Sequence, residues 1–186
     1  GDFNMNGGFT GVSAGKFVTD DGTTNHNYIL AGSSANSDNW TNISVEAWIK
    51  LDHLGKQGSE STFFSRGSNS TPKFGIYAGK LRFYANAASK AFGGTGTNGD
   101  IANQTTLTTG KWHHVAMTYN NTTGAGKLYL DGKLDCEATI DAGCMTADVG
   151  ISSIGAQGAG NRAMDGTMGK ISVWNHELDI DEIRKL

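Results

Sequence analysis

The chain has 186 residues, of which 18% are charged, with a formal net charge of -3, 27 glycines and a single proline. That length suits one domain, residues 1–186, with a full hydrophobic core, and the weak negative charge excludes the basic field that nucleic acid or an anionic membrane surface needs. No apolar run reaches the roughly 18 residues of a membrane span, and the Asn, Ser, Thr and Gly content favours turns and uncharged hydrogen bonding of the kind neutral sugars use.

Gly1-Asp2-Phe3 carries no basic-then-apolar signal pattern, so the chain reads as a piece excised from a larger secreted protein. Asp20-Asp21-Gly22 forms a turn with two adjacent carboxylates. Such a group suits calcium's preference for oxygen ligands, with an ordinary hairpin turn as the alternative. Val45, Ala47, Ile49 and Leu51 alternate with Glu46, Trp48 and Lys50, the pattern of a central strand with one buried face. Strands are predicted at 62–66, 74–77 and 81–85, the last two joined by the tight Ala78-Gly79-Lys80 turn that takes positive φ.

A polar stretch from Asn86 to Gln104 then reads as a long loop, and loops of that length are usually functional. Strands follow at 112–119 and 127–130. Asp131-Gly132 is a strong two-residue hairpin signal that should turn the chain back into 133–139. Cys136 and Cys144 are the only cysteines. They read as one disulfide, which implies an oxidising compartment, with two free buried thiols as the alternative. Strands at 151–155 and 169–174 come last, before the Asp179-to-Glu182 capping box opens a short C-terminal helical turn. No repeat with a period of about 20–50 residues is present, which excludes solenoids and propellers. The fold class expected is all-β, a two-sheet antiparallel sandwich.

Four landmarks give the chain a family likeness: Ser44-Val45-Glu46-Ala47-Trp48-Ile49, Gly110-Lys111-Trp112-His113-His114-Val115-Ala116, Lys127-Leu128-Tyr129-Leu130-Asp131-Gly132, and Gly169 through Leu178 leading into Asp181-Glu182-Ile183. From about residue 16 to 186 their order and spacing resemble laminin-G-like domains of the concanavalin A-like superfamily, which includes the pentraxins. The resemblance implies a jelly-roll sandwich set within larger secreted or cell-surface proteins. Its members bind glycans, proteins or steroids, commonly with calcium. It makes Trp48, Trp112 and Trp174 expected packing residues of the sandwich, with Trp40 either a core lid or on the surface.

The two loops matching the pentraxin calcium site read Gly67-Ser68-Asn69-Ser70 and Ala156 through Arg162. Neither contains a carboxylate, so that site is expected to be lost. Relatives of the fold often carry a structural calcium between N- and C-terminal strands, which makes Asp20, Asp21 and Asp165 its candidate ligands here.

Candidate ligand-binding residues are Arg82 and Tyr84, which alternate with Leu81 and Phe83 and so share the face turned away from the core. Phe92 in the long polar stretch either anchors that loop or presents a platform. Asn69, Asn161 and Arg162 offer amide and guanidinium donors for sugar hydroxyls, or are solvated turn residues. His113 and His114, adjacent on a strand, point to opposite faces and cannot chelate one ion together. No strand carries the paired carboxylates that glycoside cleavage needs, so no catalytic residue is expected. The reading is a non-catalytic extracellular recognition module of a bacterial adhesin or polysaccharide-active protein, binding a glycan or a cell-surface protein. A purely structural or protein-adhesion domain is the alternative.

Overall fold

Alternation of aliphatic residues with Glu46, Trp48 and Lys50 builds the central strand: Val45, Ala47, Ile49 and Leu51 are fully buried, and their neighbours face outward. The computed structural model describes residues 9–11, 15–17, 28–33, 40–55, 60–66, 72–86, 90–93, 104–140, 142–143, 145, 151–158 and 160–186. Along these the strands are β1 (Phe9–Gly11), β2 (Gly15–Phe17), β3 (Ile29–Ser33), β4 (Asn42–Leu51), β5 (Glu60–Ser65), β6 (Lys73–Tyr77) and β7 (Lys80–Asn86). They continue with β8 (Lys90–Gly93), β9 (Trp112–Asn120), β10 (Ala125–Leu130), β11 (Lys133–Thr139), β12 (Ile151–Ile154) and β13 (Gly166–Trp174), and the helix α1 is Ile180–Ile183.

The strands form two antiparallel sheets, as expected of a jelly-roll sandwich. One has the order β1-β13-β4-β9-β10-β11, with β2 also on β13, and the other β3-β12-β5-β6-β7-β8. Inward residues of β4 and β9 meet Phe63, Phe64, Phe74, Ile76, Leu81 and Phe83 of the facing sheet in one apolar cluster, and Phe83 touches Tyr119 across it with ring centroids 5.0 Å apart. A bulge between Thr62 and Phe64 lets two consecutive phenylalanines face inward. Trp40 packs against this core as a lid.

The Asp131-Gly132 hairpin forms as expected, and the turn expected over 78–80 is one residue shorter, with Lys80 opening β7. Ala78 and Gly79 have φ of 47° and 79°, and Asp131 and Gly132 have 50° and 72°, the left-handed pair that a two-residue turn between twisted strands requires. The capping box forms as well, with Glu182 N–H donating to Asp179 Oδ1 at 2.8 Å and Asp179 N–H donating to Glu182 Oε2 at 2.8 Å. The stretch from 86 to 104 differs from expectation. Residues 90–93 form β8 and extend the sheet beyond β7, because the polar stretch contains Ala91 and Phe92, enough apolar character to pair at a sheet edge.

Two further expectations are corrected. Trp48 and Trp112 do not pack the sandwich: they lie on the outer face of the seven-stranded sheet, 39% and 43% exposed, because their positions alternate with the buried ones. Cys136 is a free, buried thiol, so the disulfide is not made here; Cys144 lies outside the described residues.

The C-terminal segment crosses the outer face of the seven-stranded sheet. Ser44 Oγ–H donates to the His176 carbonyl at 2.7 Å and accepts from Leu178 N–H at 3.0 Å. Leu178 and Ile183 bury themselves against Ala116 and Tyr129.

Candidate functional site

On the outer face of the six-stranded sheet, alternation brings Glu60 of β5, Lys73, Gly75 and Tyr77 of β6, and Arg82 and Tyr84 of β7 to one side. The register pairs Glu60 with Tyr77, Gly75 with Arg82, and Lys73 with Tyr84. A side chain at Gly75 would be strained, because its Cβ would run into the Ser61 carbonyl oxygen. The Arg82 guanidinium lies between two phenol rings, 4.6 Å from the Tyr77 centroid and 4.4 Å from that of Tyr84. Arg82 is only 7% exposed, and its Nε is buried without a hydrogen-bond partner.

Glu60 is the anionic centre of the cluster. Lys73 Nζ donates to its Oε1 at 3.1 Å and to Gln157 Oε1 at 3.1 Å, and stands 4.0 Å from the Tyr84 ring centroid. Arg162 Nε pairs with Glu60 Oε2, and another of its nitrogens donates to Gln157 Oε1 at 2.7 Å. This arginine arrives on a tight loop in which Gln157 and Asn161 exchange backbone hydrogen bonds of 2.7 and 3.0 Å. Its own φ is 49°, and its carbonyl accepts from Thr62 N–H at 2.8 Å.

Among the described residues the cluster therefore sets three cations, Lys73, Arg82 and Arg162, against one carboxylate. Burial pulls the Lys73 ammonium down to about 8, with Arg162 and Arg82 adding to the effect and Glu60 opposing it. Burial also pushes the Tyr84 phenol up, helped by its hydrogen bond to Glu60. Such an arrangement receives an anion more readily than it performs acid–base chemistry. Its one carboxylate is already committed to three donors, whereas a buried guanidinium nitrogen has none.

Of the residues expected to bind ligand, Arg82, Tyr84 and Arg162 come together here, and Asn161 is exposed beside them. Phe92 is a β8 strand residue paired with Phe83 rather than a loop residue. Asn69, Asp20 and Asp21 lie outside the described residues. Asp165 is buried, with its Oδ2 2.6 Å from His53 Nδ1. A calcium ion using that oxygen would have to displace the imidazole, and the described residues contain no cluster of three or more metal-binding side chains.

Glu60, Lys73, Tyr77 and Gln157 were not foreseen. Starting the strands two residues and one residue earlier, at Glu60 and Lys73, would have placed the first two by alternation alone. On the opposite sheet, His113 and His114 each meet a carboxylate: His113 Nδ1 lies 3.0 Å from Asp131 Oδ2, and His114 Nε2 3.1 Å from Glu46 Oε2. Burial would raise the Glu46 carboxyl, but bonds from His114 and Ser172 and the charge of Lys170 outweigh it and hold the group low.

A family model described as Laminin_G_3, concanavalin A-like lectin/glucanases superfamily, matches residues 20–184. The heptameric SAP-like pentraxin of Limulus polyphemus superposes with a TM-score of 0.66 at 16% identity, covering 97% of this chain and 82% of the pentraxin chain. Domain 4 of an extracellular arabinanase from Geobacillus stearothermophilus, solved with arabinotriose, gives 0.64 at 17% identity over 96% of this chain and 86% of that one. In sequence, the rat protein "Sushi, von Willebrand factor type A, EGF and pentraxin domain-containing protein 1" is 29% identical over 94 residues, 46% of this chain. The match spans 3% of that much longer protein.

Proposed function

The chain belongs to the concanavalin A-like lectin/glucanases superfamily, and we propose that it is a non-catalytic carbohydrate-recognition module whose Arg82 face holds an acidic sugar unit. The observation that carries this reading is the buried Arg82 guanidinium, stacked between Tyr77 and Tyr84 with an unpartnered Nε and beside two further cations. A sugar carboxylate matches a guanidinium fork, and tyrosine rings provide apolar surface for sugar C–H groups. The arabinotriose complex of the Geobacillus stearothermophilus domain supports a sugar ligand for this architecture.

The module is non-catalytic because glycoside hydrolysis needs two carboxyl groups flanking one bond, and among the described residues Glu60 is the one carboxylate of the cluster, with its oxygens held by Lys73, Arg162 and Tyr84. The setting that fits is an extracellular or cell-surface protein, bacterial in our reading. A structural calcium at Asp20, Asp21 and Asp165 belongs to the same proposal. Its test is calorimetry after chelation: heat and a raised melting temperature support it, and the absence of both removes it.

A glycan array carrying uronate, sialylated and neutral glycans, run with calcium and with chelator, tests the main reading. Acidic glycans are expected to bind, and Arg82→Met to lose at least about tenfold in affinity. That variant should melt at or above wild type, since it removes a poorly compensated buried charge. Affinity should also fall as pH rises through about 8, where Lys73 gives up its proton. A folded wild type that binds no acidic glycan, or an Arg82→Met variant that binds as well as wild type, refutes the reading and leaves the structural or protein-adhesion alternative.

A further inference from the structure

The opposite face of the molecule holds a second concavity, unrelated to the Arg82 cluster. Trp48 and Trp112 stand side by side on the outer face of the seven-stranded sheet, since Trp48 pairs in register with His114, and Lys50 with Trp112. Gly169 of β13 lies against both tryptophans: a Cβ there would be 3.4 Å from Trp48 Cβ and 3.6 Å from Cζ3 of the Trp112 indole. The C-terminal segment covers only part of this face. Beside it lies a cleft of about 540 Å³, lined by Trp48, Trp112 and His114 and by Lys133, Ile183, Arg184 and Leu186.

The two indoles are held in place before any ligand arrives. The Trp48 ring lies 5.3 Å from the His114 ring, and His114 is in turn fixed by the fully buried Glu46. Lys50 Nζ stands 5.7 Å from the Trp112 centroid. The cleft wall is equally built. Arg184 Nε–H donates to the Gly132 carbonyl at 3.2 Å, and Asp131 Oδ1 accepts from His114 N–H at 2.9 Å. Two large aromatic side chains about two-fifths exposed in one concavity, ringed by polar groups, are the mark of a ligand surface rather than of scattered surface apolarity. Preorganised rings also lose little conformational entropy on binding.

We propose that this cleft is a second glycan-binding site, taking a neutral oligosaccharide whose sugar rings stack on Trp48 and Trp112. Neutral sugar fits better than charged sugar because the charges at the rim offset one another, unlike those at the Arg82 face. Lys133 and Arg184 share the cleft lining with Asp131, and Asp181 Oδ1 stands 3.7 Å from an Arg184 nitrogen. The volume is that of a small-molecule pocket. The hydroxyls of a stacked ring find donors in Lys133 and Arg184.

The test uses the whole chain and a panel of neutral oligosaccharides: cellohexaose, xylohexaose, mannohexaose and arabinohexaose. Indole N–H resonances are followed by NMR and affinities by calorimetry. The expected result is that at least one probe shifts the Trp48 and Trp112 signals and not that of Trp40. Trp112→Ala then weakens this probe at least about tenfold, whereas Arg82→Met leaves it unchanged. Should Trp112→Ala melt early, Trp48→Ala and the wild-type resonance map decide the matter. The proposal is overturned if no probe moves either indole signal, or if binding survives both substitutions. It is also overturned if the chain self-associates and Trp112→Ala abolishes that association, for then a second copy fills the cleft. Because the acidic-glycan test reads Arg82 and this one reads Trp112, either site can fail without the other.

Discussion

Replacing Glu60 by Gln removes the one carboxylate that the described residues bring to the Arg82 face, and the structure bounds what this costs. Cutting a buried ion pair in half often costs about 3–5 kcal/mol, because the surviving charge is stranded. Lys73, however, is already strained in the wild type: buried at 3% exposure, it titrates at about 8 rather than 10.5. At pH 7 the folded protein gains only the difference of one unit, ~1.4 kcal/mol, from keeping that proton. A folded Glu60→Gln variant can release it and lose no more than that from Lys73. Arg162 is exposed enough to find water, and the lost Tyr84 hydrogen bond adds about 1 kcal/mol at most.

The predicted loss at pH 7 is therefore about 1.5–2.5 kcal/mol, or roughly 4–8 °C in melting temperature for a domain of this size. The sign with pH follows from linkage. In the wild type the unfolded chain holds a proton that the folded state releases, so this group adds stability as pH rises from about 8 to 10.5. In Glu60→Gln the same rise begins at lower pH. The gap between the two proteins should thus widen below pH 7 and narrow above 8. Urea denaturation of wild type, Glu60→Gln, Lys73→Met and the double variant at pH 6, 7 and 9 measures it. A gap that does not vary with pH, or one above about 4 kcal/mol at pH 7, refutes the reasoning.

Cys136 should resist iodoacetamide at pH 8 in the native protein and react fully once unfolded, since burial, with Asp135 and Glu137 beside it, pushes its thiol up to about 12. Peptide mapping that finds it labelled within minutes, or bridged to Cys144, contradicts this. Gly75→Ala should cost about 1–3 kcal/mol by thermal melting, because its Cβ would meet backbone rather than a yielding side chain. It should weaken acidic-glycan binding too, by shifting the strand that pairs with Arg82, and an unchanged melting temperature counts against that. Asp179→Ala removes the helix cap and should cost about 1 kcal/mol. It should also loosen the Ile183 wall of the tryptophan cleft, read as higher acrylamide quenching of the indoles.

Local and periodic features were legible in the order of residues alone. Period-two alternation located the buried face of β4 from Val45 to Leu51, the Ala78-Gly79 and Asp131-Gly132 pairs set the hairpin turns, and Asp179 with Glu182 set the helix start. These rest on interactions between residues a few positions apart, which any window of the chain displays. The same alternation put Arg82 and Tyr84 on one outward face.

It did not show that Glu60, Lys73 and the Arg162 loop would converge on them. That depends on β5 and β12 being neighbours in the sheet, a pairing between segments far apart in the chain. Nor did it show the exposure of Trp48 and Trp112. A tryptophan on an outward-facing position is buried or open according to what crosses over it, and here Leu178 and Ile183 pack on Ala116 and Tyr129 while the two indoles line the cleft beside them. The sequence thus determined which residues face the same way, and the stacking of the sheets and the path of the C-terminal segment decided which of them meet, because burial on an outer face is a property of the whole fold.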